Sequence, residues 1–145
     1  MSDNTKTAHL TWEGHDLAFQ VVSGSGFTLR IDNPSGPNGS SPMELVAMAS
    51  GACTASDVIS ILQKKQQSVT RFEVHVLGVR SSEHPKVFTE IDLEYVVTGH
   101  HIDPKAVERS IELSLTKYCS VNAMLEKSVK INHRYRIIET EAAIA

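Results

Sequence analysis

Ser41-Pro-Met-Glu-Leu-Val-Ala-Met-Ala-Ser-Gly-Ala-Cys-Thr-Ala-Ser-Asp-Val-Ile-Ser-Ile-Leu-Gln-Lys-Lys65 is the stretch around which the chain is organised. It opens as a helix. Ser41 can accept from the first free N–H groups, Pro42 suits the first helical position, and Glu44 can reach back to complete a capping box. Behind that start, Leu45, Val46, Ala47, Met48, Ala49, Ala52, Ala55, Val58, Ile59, Ile61 and Leu62 leave almost no polar face. Such a helix is expected to be buried on nearly every side. Ser50, Ser56 and Asp57 interrupt it too often for a membrane span. Its small residues invite close approach of another backbone, and Cys53 sits in its middle.

The 145 residues are 41% hydrophobic and 21% charged, the balance of one folded domain with a core. A net charge of −3 gives no footprint for nucleic acid or an anionic membrane. The opening Met1-Ser-Asp-Asn-Thr-Lys6 is polar and lacks an apolar leader core, so a cytoplasmic location is expected. Two cysteines 66 positions apart do not form a disulfide scaffold. In a reducing compartment they are either packed thiols or a redox couple.

Before the helix, His9–Glu13, Leu17–Val22 and Phe27–Ile31 alternate between turns rich in glycine, an antiparallel meander of three strands. Asp32–Ser41 holds two prolines, two glycines, three serines and two asparagines, and reads as a loop walling a site. After the helix, Val69–Val79 and Val87–Thr98 form a second antiparallel pair. Asp103 and Pro104 start another helix with Val107, Ile111 and Leu115 inward. The rhythm changes near Tyr118-Cys119-Ser120, a short helix follows over Val121–Leu125, and Val129–Ile138 is a last strand. Residues 1–6 and 140–145 read as flexible ends of a single domain spanning 1–145. The order is α+β. A second copy of the chain is expected to cover what one sheet cannot, giving a homodimer.

Cys53 can be a packed side chain or a nucleophile. Cys119, at a helix junction, would gain thiolate character from a helix N-terminus. Asp57 needs a partner such as Arg30, Arg109 or a backbone donor. Glu44 is either the cap or a functional carboxylate near the thiol, and Arg30 ends a strand just before the loop. None of the seven histidines has metal-site spacing with a cysteine. With no phosphate loop, nucleophile elbow or dinucleotide fingerprint, no cofactor is expected.

Gly39 followed by Ser41-Pro-Met-Glu-Leu-Val-Ala-Met-Ala-Ser-Gly-Ala-Cys53 resembles the GxxPxELxxxAxxxC helix of the OsmC/Ohr proteins. Lys117-Tyr-Cys119-Ser-Val-Asn122 resembles their second cysteine motif, and the order of elements agrees over roughly residues 7–138. The resemblance implies antiparallel sheets wrapped around central helices in an intertwined homodimer. It also implies a thiol peroxidase for organic hydroperoxides, with Cys53 peroxidatic, Cys119 resolving, and Glu44 and Arg30 as activating groups. An external dithiol, carried on lipoyl-bearing proteins in relatives, would recycle it. The alternative is a non-enzymatic dimer of the same fold that binds an apolar ligand or partner. Two departures bear on the choice. The peroxidases carry glutamate directly after the motif proline, whereas here Met43 stands there and Glu44 is turned about 100° further round the helix. The loop between Arg30 and Pro42 is also longer than theirs.

Overall fold

The computed structural model describes residues 4–141, so the expected flexible ends lie largely outside the described residues. The chain forms two compact units, Met1–Val46 and Ala47–Ala145.

In the first unit, β1 (Ala8–Trp12), β2 (Phe19–Ser23) and β3 (Thr28–Ile31) form the expected meander in the order β1-β2-β3. Trp12 stands opposite Phe19, and Phe19 opposite Ile31. Gly14 and Gly26 turn the chain at φ 91° and 95°, in the left-handed region that glycine enters without strain. Ala18 and Val21 are buried, but Trp12 is 58% and Phe27 77% exposed. The loop after β3 is tied down by the buried Asp32. Its carboxylate accepts from the Asn33 N–H at 2.7 Å and from Asn38 Nδ2 at 2.8 Å. These donors hold the Asp32 carboxyl below its ordinary range, the Asn33 N–H most of all.

α1 (Pro42–Lys64) starts where the sequence says. Ser41 N–H donates to Glu44 Oε1 at 2.9 Å and Glu44 N–H donates to Ser41 Oγ at 3.2 Å, a closed capping box. Within the second unit, Ser50, Gly51, Thr54, Val58 and Leu62 form one buried stripe. A Cβ on Gly51 would stand 2.6 Å from Val76 Cγ2, so glycine lets α1 press against the next strand. The opposite face is open in the single chain. Ala49, Ala52 and Ser56 are exposed, and Met48 is 50% exposed. By length and composition α1 could cross a membrane, with a mean hydropathy of 1.6 in its best window. Its polar ties to neighbouring elements, described below, are those of a core helix.

The rest of the second unit is a sheet in the order β4-β5-β6, from β4 (Ser68–Arg80), β5 (Phe88–His100) and β6 (Lys130–Glu139). β4 and β5 are antiparallel, as the sequence suggests. β6 is not: it runs parallel to β5, from Glu90 opposite Lys130 to Gly99 opposite Glu139. The expectation of purely antiparallel sheets is corrected here. Parallel neighbours need a long crossover, and the helical segment between them supplies it. That crossover is α2 (Pro104–Leu113), a π-helical turn (Ser114–Tyr118) and α3 (Ser120–Leu125). β5 is the central strand, with Ile91, Leu93, Tyr95, Val96 and Val97 fully buried. Asp103 caps α2 by accepting from the Lys105 N–H at 3.0 Å. Val107 and Ile111 face inward as expected, whereas Leu115 falls in the π-helical turn and is half-buried.

Candidate functional site: two thiols bracketed by buried hydrogen bonds

Cys53 lies half-buried on α1, and Cys119 is 2% exposed at the junction of the π-helical turn and α3. Both are free thiols. The sequence leaves their separation open; the fold sets Cys53 beside Ser120, the residue that follows Cys119, and Cys53 is near enough to perturb the Cys119 thiol. Cys53 Sγ lies 3.9 Å from Ser120 Oγ.

Two sets of buried hydrogen bonds hold this pair, one on each flank. On one, Ser50 Oγ donates to Asn122 Oδ1 at 2.6 Å. Asn122 Nδ2 donates to the Ser50 carbonyl at 3.2 Å and to Cys119 Sγ at 3.1 Å. On the other, Thr54 Oγ1 lies 2.7 Å from both Tyr95 Oη and Ser114 Oγ. Ser114 Oγ donates to Asp57 Oδ2 at 2.9 Å, and the Ser114 carbonyl accepts the Cys119 N–H at 2.7 Å. Ser50 and Thr54 precede and follow Cys53, while Ser114 and Asn122 precede and follow Cys119.

Electrostatics divide the thiols' surroundings. Burial pushes the Cys119 thiol up to about 11, the nearby Cys53 adds to this, and Asn122 opposes it. The expected gain in thiolate character from the helix N-terminus is therefore corrected. α3 has six residues, too few to outweigh loss of solvent around the sulfur. Burial likewise pushes Tyr95 up to about 12. Asp57 takes the Ser114 hydroxyl as its partner rather than an arginine, and Arg109 pairs with Glu112 at 3.1 Å. Asp57 also borders a cleft of about 270 Å³ lined by Ser60, Ile61, Lys64, Leu113 and Tyr118.

The other two candidate residues belong to the first unit. Arg30 forms a two-pronged pair with Glu13, Nε to Oε2 at 2.8 Å and Nη2 to Oε1 at 2.5 Å, and touches Asn38 Oδ1 at 3.4 Å. Glu44 is exposed and engaged in the capping box, and the Ser41 N–H holds its carboxyl below the ordinary range. As for metals, among the described residues His100, His101 and Glu139 bring ligand atoms within 4.8 Å of one another. Two of the three already serve the fold: His100 Nδ1 meets the Thr140 carbonyl at 3.1 Å, and the Glu139 carboxylate accepts the His101 backbone N–H at 2.9 Å.

Sequence reading missed Ser50, Thr54, Tyr95 and Ser114, and gave Asn122 no role. The available signal was positional: Ser50 and Thr54 are hydroxyls four apart on an otherwise apolar helix, so they share a face.

Residues 35–134 match the family model for OsmC-like protein. The chain is 46% identical to Protein YhfA of Escherichia coli (strain K12) over 132 residues, covering 90% of this chain and 97% of that protein. A hypothetical protein from Aquifex aeolicus VF5 shares the fold with a TM-score of 0.85 and 32% identity, covering 95% of this chain and 99% of that one. An organic hydroperoxide resistance protein OsmC from Legionella pneumophila superposes with a TM-score of 0.67 at 15% identity, over 97% of this chain and 100% of that one. This chain belongs to the OsmC-like family.

Proposed function

We propose that the chain is a cysteine-based peroxidase that reduces organic hydroperoxides. The placing of both thiols in one buried hydrogen-bonded network carries the reading: Asn122 Nδ2 bridges Cys119 Sγ to the Ser50 carbonyl one turn before Cys53, and Cys53 Sγ lies 3.9 Å from Ser120 Oγ. A pair of neighbouring thiols can store two electrons as a disulfide and release them again. The Cys53 thiolate attacks the distal peroxide oxygen, the O–O bond breaks, and an alcohol leaves as Cys53 becomes a sulfenic acid. Cys119 then displaces the sulfenic oxygen as water and forms the disulfide. An external dithiol of the lipoyl type returns both thiols. The more accessible Cys53 suits the peroxidatic role, and the buried Cys119, meeting Cys53 from inside, suits resolution. The apolar open face of α1 supports a homodimer, with a second copy of the chain covering that face. Fold-level likeness to organic hydroperoxide resistance proteins points the same way.

A second reading rests on Arg30 and Glu44. Each already has a structural partner, Arg30 in Glu13 and Glu44 in Ser41, which favours a family member that binds an apolar ligand with its thiols sensing redox state. Mass spectrometry of the reduced protein after one equivalent of cumene hydroperoxide separates the two. Rapid loss of two hydrogens, mapped to a Cys53–Cys119 bond and faster than with hydrogen peroxide, is expected of the peroxidase. Two intact thiols after prolonged exposure would select the binding protein.

A further inference from the structure

The resolving thiol presents a chemical difficulty. A sulfenic acid is attacked by a thiolate, yet Cys119 is buried where ionisation is disfavoured. A buried thiolate needs donors aimed at it. Asn122 is such a donor. It is itself 2% exposed, and every polar atom of its side chain is committed. Oδ1 accepts from Ser50 Oγ, while Nδ2 divides its two hydrogens between the Ser50 carbonyl and Cys119 Sγ. Because Ser50 sits on α1 one turn before Cys53, the amide is held by the peroxidatic helix and points at the resolving sulfur.

We infer that Asn122 is a positioning residue for disulfide formation: its amide N–H fixes the Cys119 sulfur beside Cys53 and stabilises the thiolate that attacks the sulfenic acid. The inference rests on the peroxidase reading for its place in the reaction. In that step the Cys119 S–H bond breaks, an S–S bond forms to Cys53, and the S–O bond of the sulfenic acid breaks. The hydroxyl departs with the Cys119 proton as water. The organic hydroperoxide is the oxidant, and no further reagent is needed. Asn122 touches neither the peroxide nor Cys53 in this scheme.

The test separates charge stabilisation from simple packing, because the two predict opposite signs. In a Cys53→Ser background Cys119 is the one remaining thiol. Its alkylation by iodoacetamide is followed from pH 7 to 9 with Asn122, Asn122→Ala and Asn122→Asp. Losing the donor lowers the thiolate fraction, so alkylation at a given pH slows about tenfold in the alanine variant and further in the isosteric aspartate. A residue that only packs would leave Cys119 looser when removed, and alkylation would quicken or stay the same. Either result overturns the inference. Should both variants fold poorly, the Cys53→Ser protein still decides. Its Asn122 side-chain amide signals in NMR must move as Cys119 ionises, and fixed signals refute the contact. A parallel arm treats the two-thiol protein with cumene hydroperoxide. Slow sulfenic acid decay with unchanged sulfenic acid formation in Asn122→Ala is the expected pattern. If the native protein forms no sulfenic acid at all, the peroxidase reading fails, while the alkylation result stands on its own.

Discussion

Thr54 and Ser114 join their hydroxyls at 2.7 Å, linking the residue after Cys53 to the residue whose carbonyl closes the π-helical turn ahead of Cys119. The direction of this chain follows from its end. Ser114 donates to the Asp57 carboxylate, so Thr54 must donate to Ser114 and Tyr95 to Thr54. Thr54→Val keeps the shape but leaves the Tyr95 hydroxyl and Ser114 without their buried partner. It should cost about 1–3 kcal/mol in denaturant unfolding. Tyr95→Phe removes one donor at the end of the chain and should cost about 1 kcal/mol. Combined in a double-mutant cycle, the two should be less than additive, since both break the same bond.

The two thiols are not equivalent, and their serine variants should differ. Cys53→Ser should abolish reduction of an organic hydroperoxide. Cys119→Ser should permit one round and leave an oxidised Cys53 that a sulfenic acid trap captures. Stopped-flow peroxide consumption and mass spectrometry check this together. Equal, small losses in both variants would sink the assigned roles.

Most elements could be read from the sequence because their periods are clean: the meander, the capped helix and the β4–β5 pair all appear where alternation and caps put them. Strand direction was hidden. Val129–Ile138 alternates the same way whether it runs with or against β5, and only the crossover makes it parallel. What covers the rest of α1 was hidden for a related reason. Hydrophobicity states what must be covered, while the open Ala49–Ala52–Ser56 face depends on what one chain can bring to it. The π-helical turn has no period of its own in five residues, so Ser114 went unnoticed. Cys53 and Cys119 were legible as a motif, but the Asn122 and Ser120 contacts that bring their helices together are tertiary facts.

Glu44 allows its two possible roles to be separated. Glu44→Gln retains an oxygen that can accept from the Ser41 N–H, and should leave helix stability nearly intact. Glu44→Ala and Ser41→Ala should each lower the unfolding midpoint measurably, because each opens the capping box. The carboxyl is held below its ordinary 4.5 by the Ser41 N–H and hydroxyl, so its contribution is present above that pH and fades as pH falls through the lower folded value. If cap loss alone is at work, Glu44→Gln will oxidise at Cys53 as quickly as the native protein. A large drop in that rate with full stability would instead make the carboxylate an activating group.

Assembly can be checked directly. Sedimentation equilibrium should give the mass of two chains rather than the 15.9 kDa of one. Ala52→Lys, on the open face of α1, should shift the protein towards the single-chain mass while keeping its far-ultraviolet spectrum. A native protein that sediments as one chain would leave that face to a different occupant.

The pH response is the sharpest prediction because two buried groups act in the same direction. Cys119 moves from an ordinary 9.0 to about 11, and Tyr95 from 10.0 to about 12. Each loses its proton more readily when unfolded than when folded, so between those limits the unfolded chain binds fewer protons. Stability must then fall as pH rises, beginning near 9 and continuing to about 12. Below pH 9 both groups keep their protons in either state and contribute no slope. Urea midpoints measured from pH 7 to 11 should drop on the alkaline side, and Cys119→Ser should delay the start of the fall to the tyrosine range. Over the same range, disulfide formation in the native protein should quicken tenfold per pH unit as Cys119 ionises, a slope that stopped-flow fluorescence can follow. A midpoint that stays flat to pH 11 would mean the sulfur is not held in the dry surroundings described here.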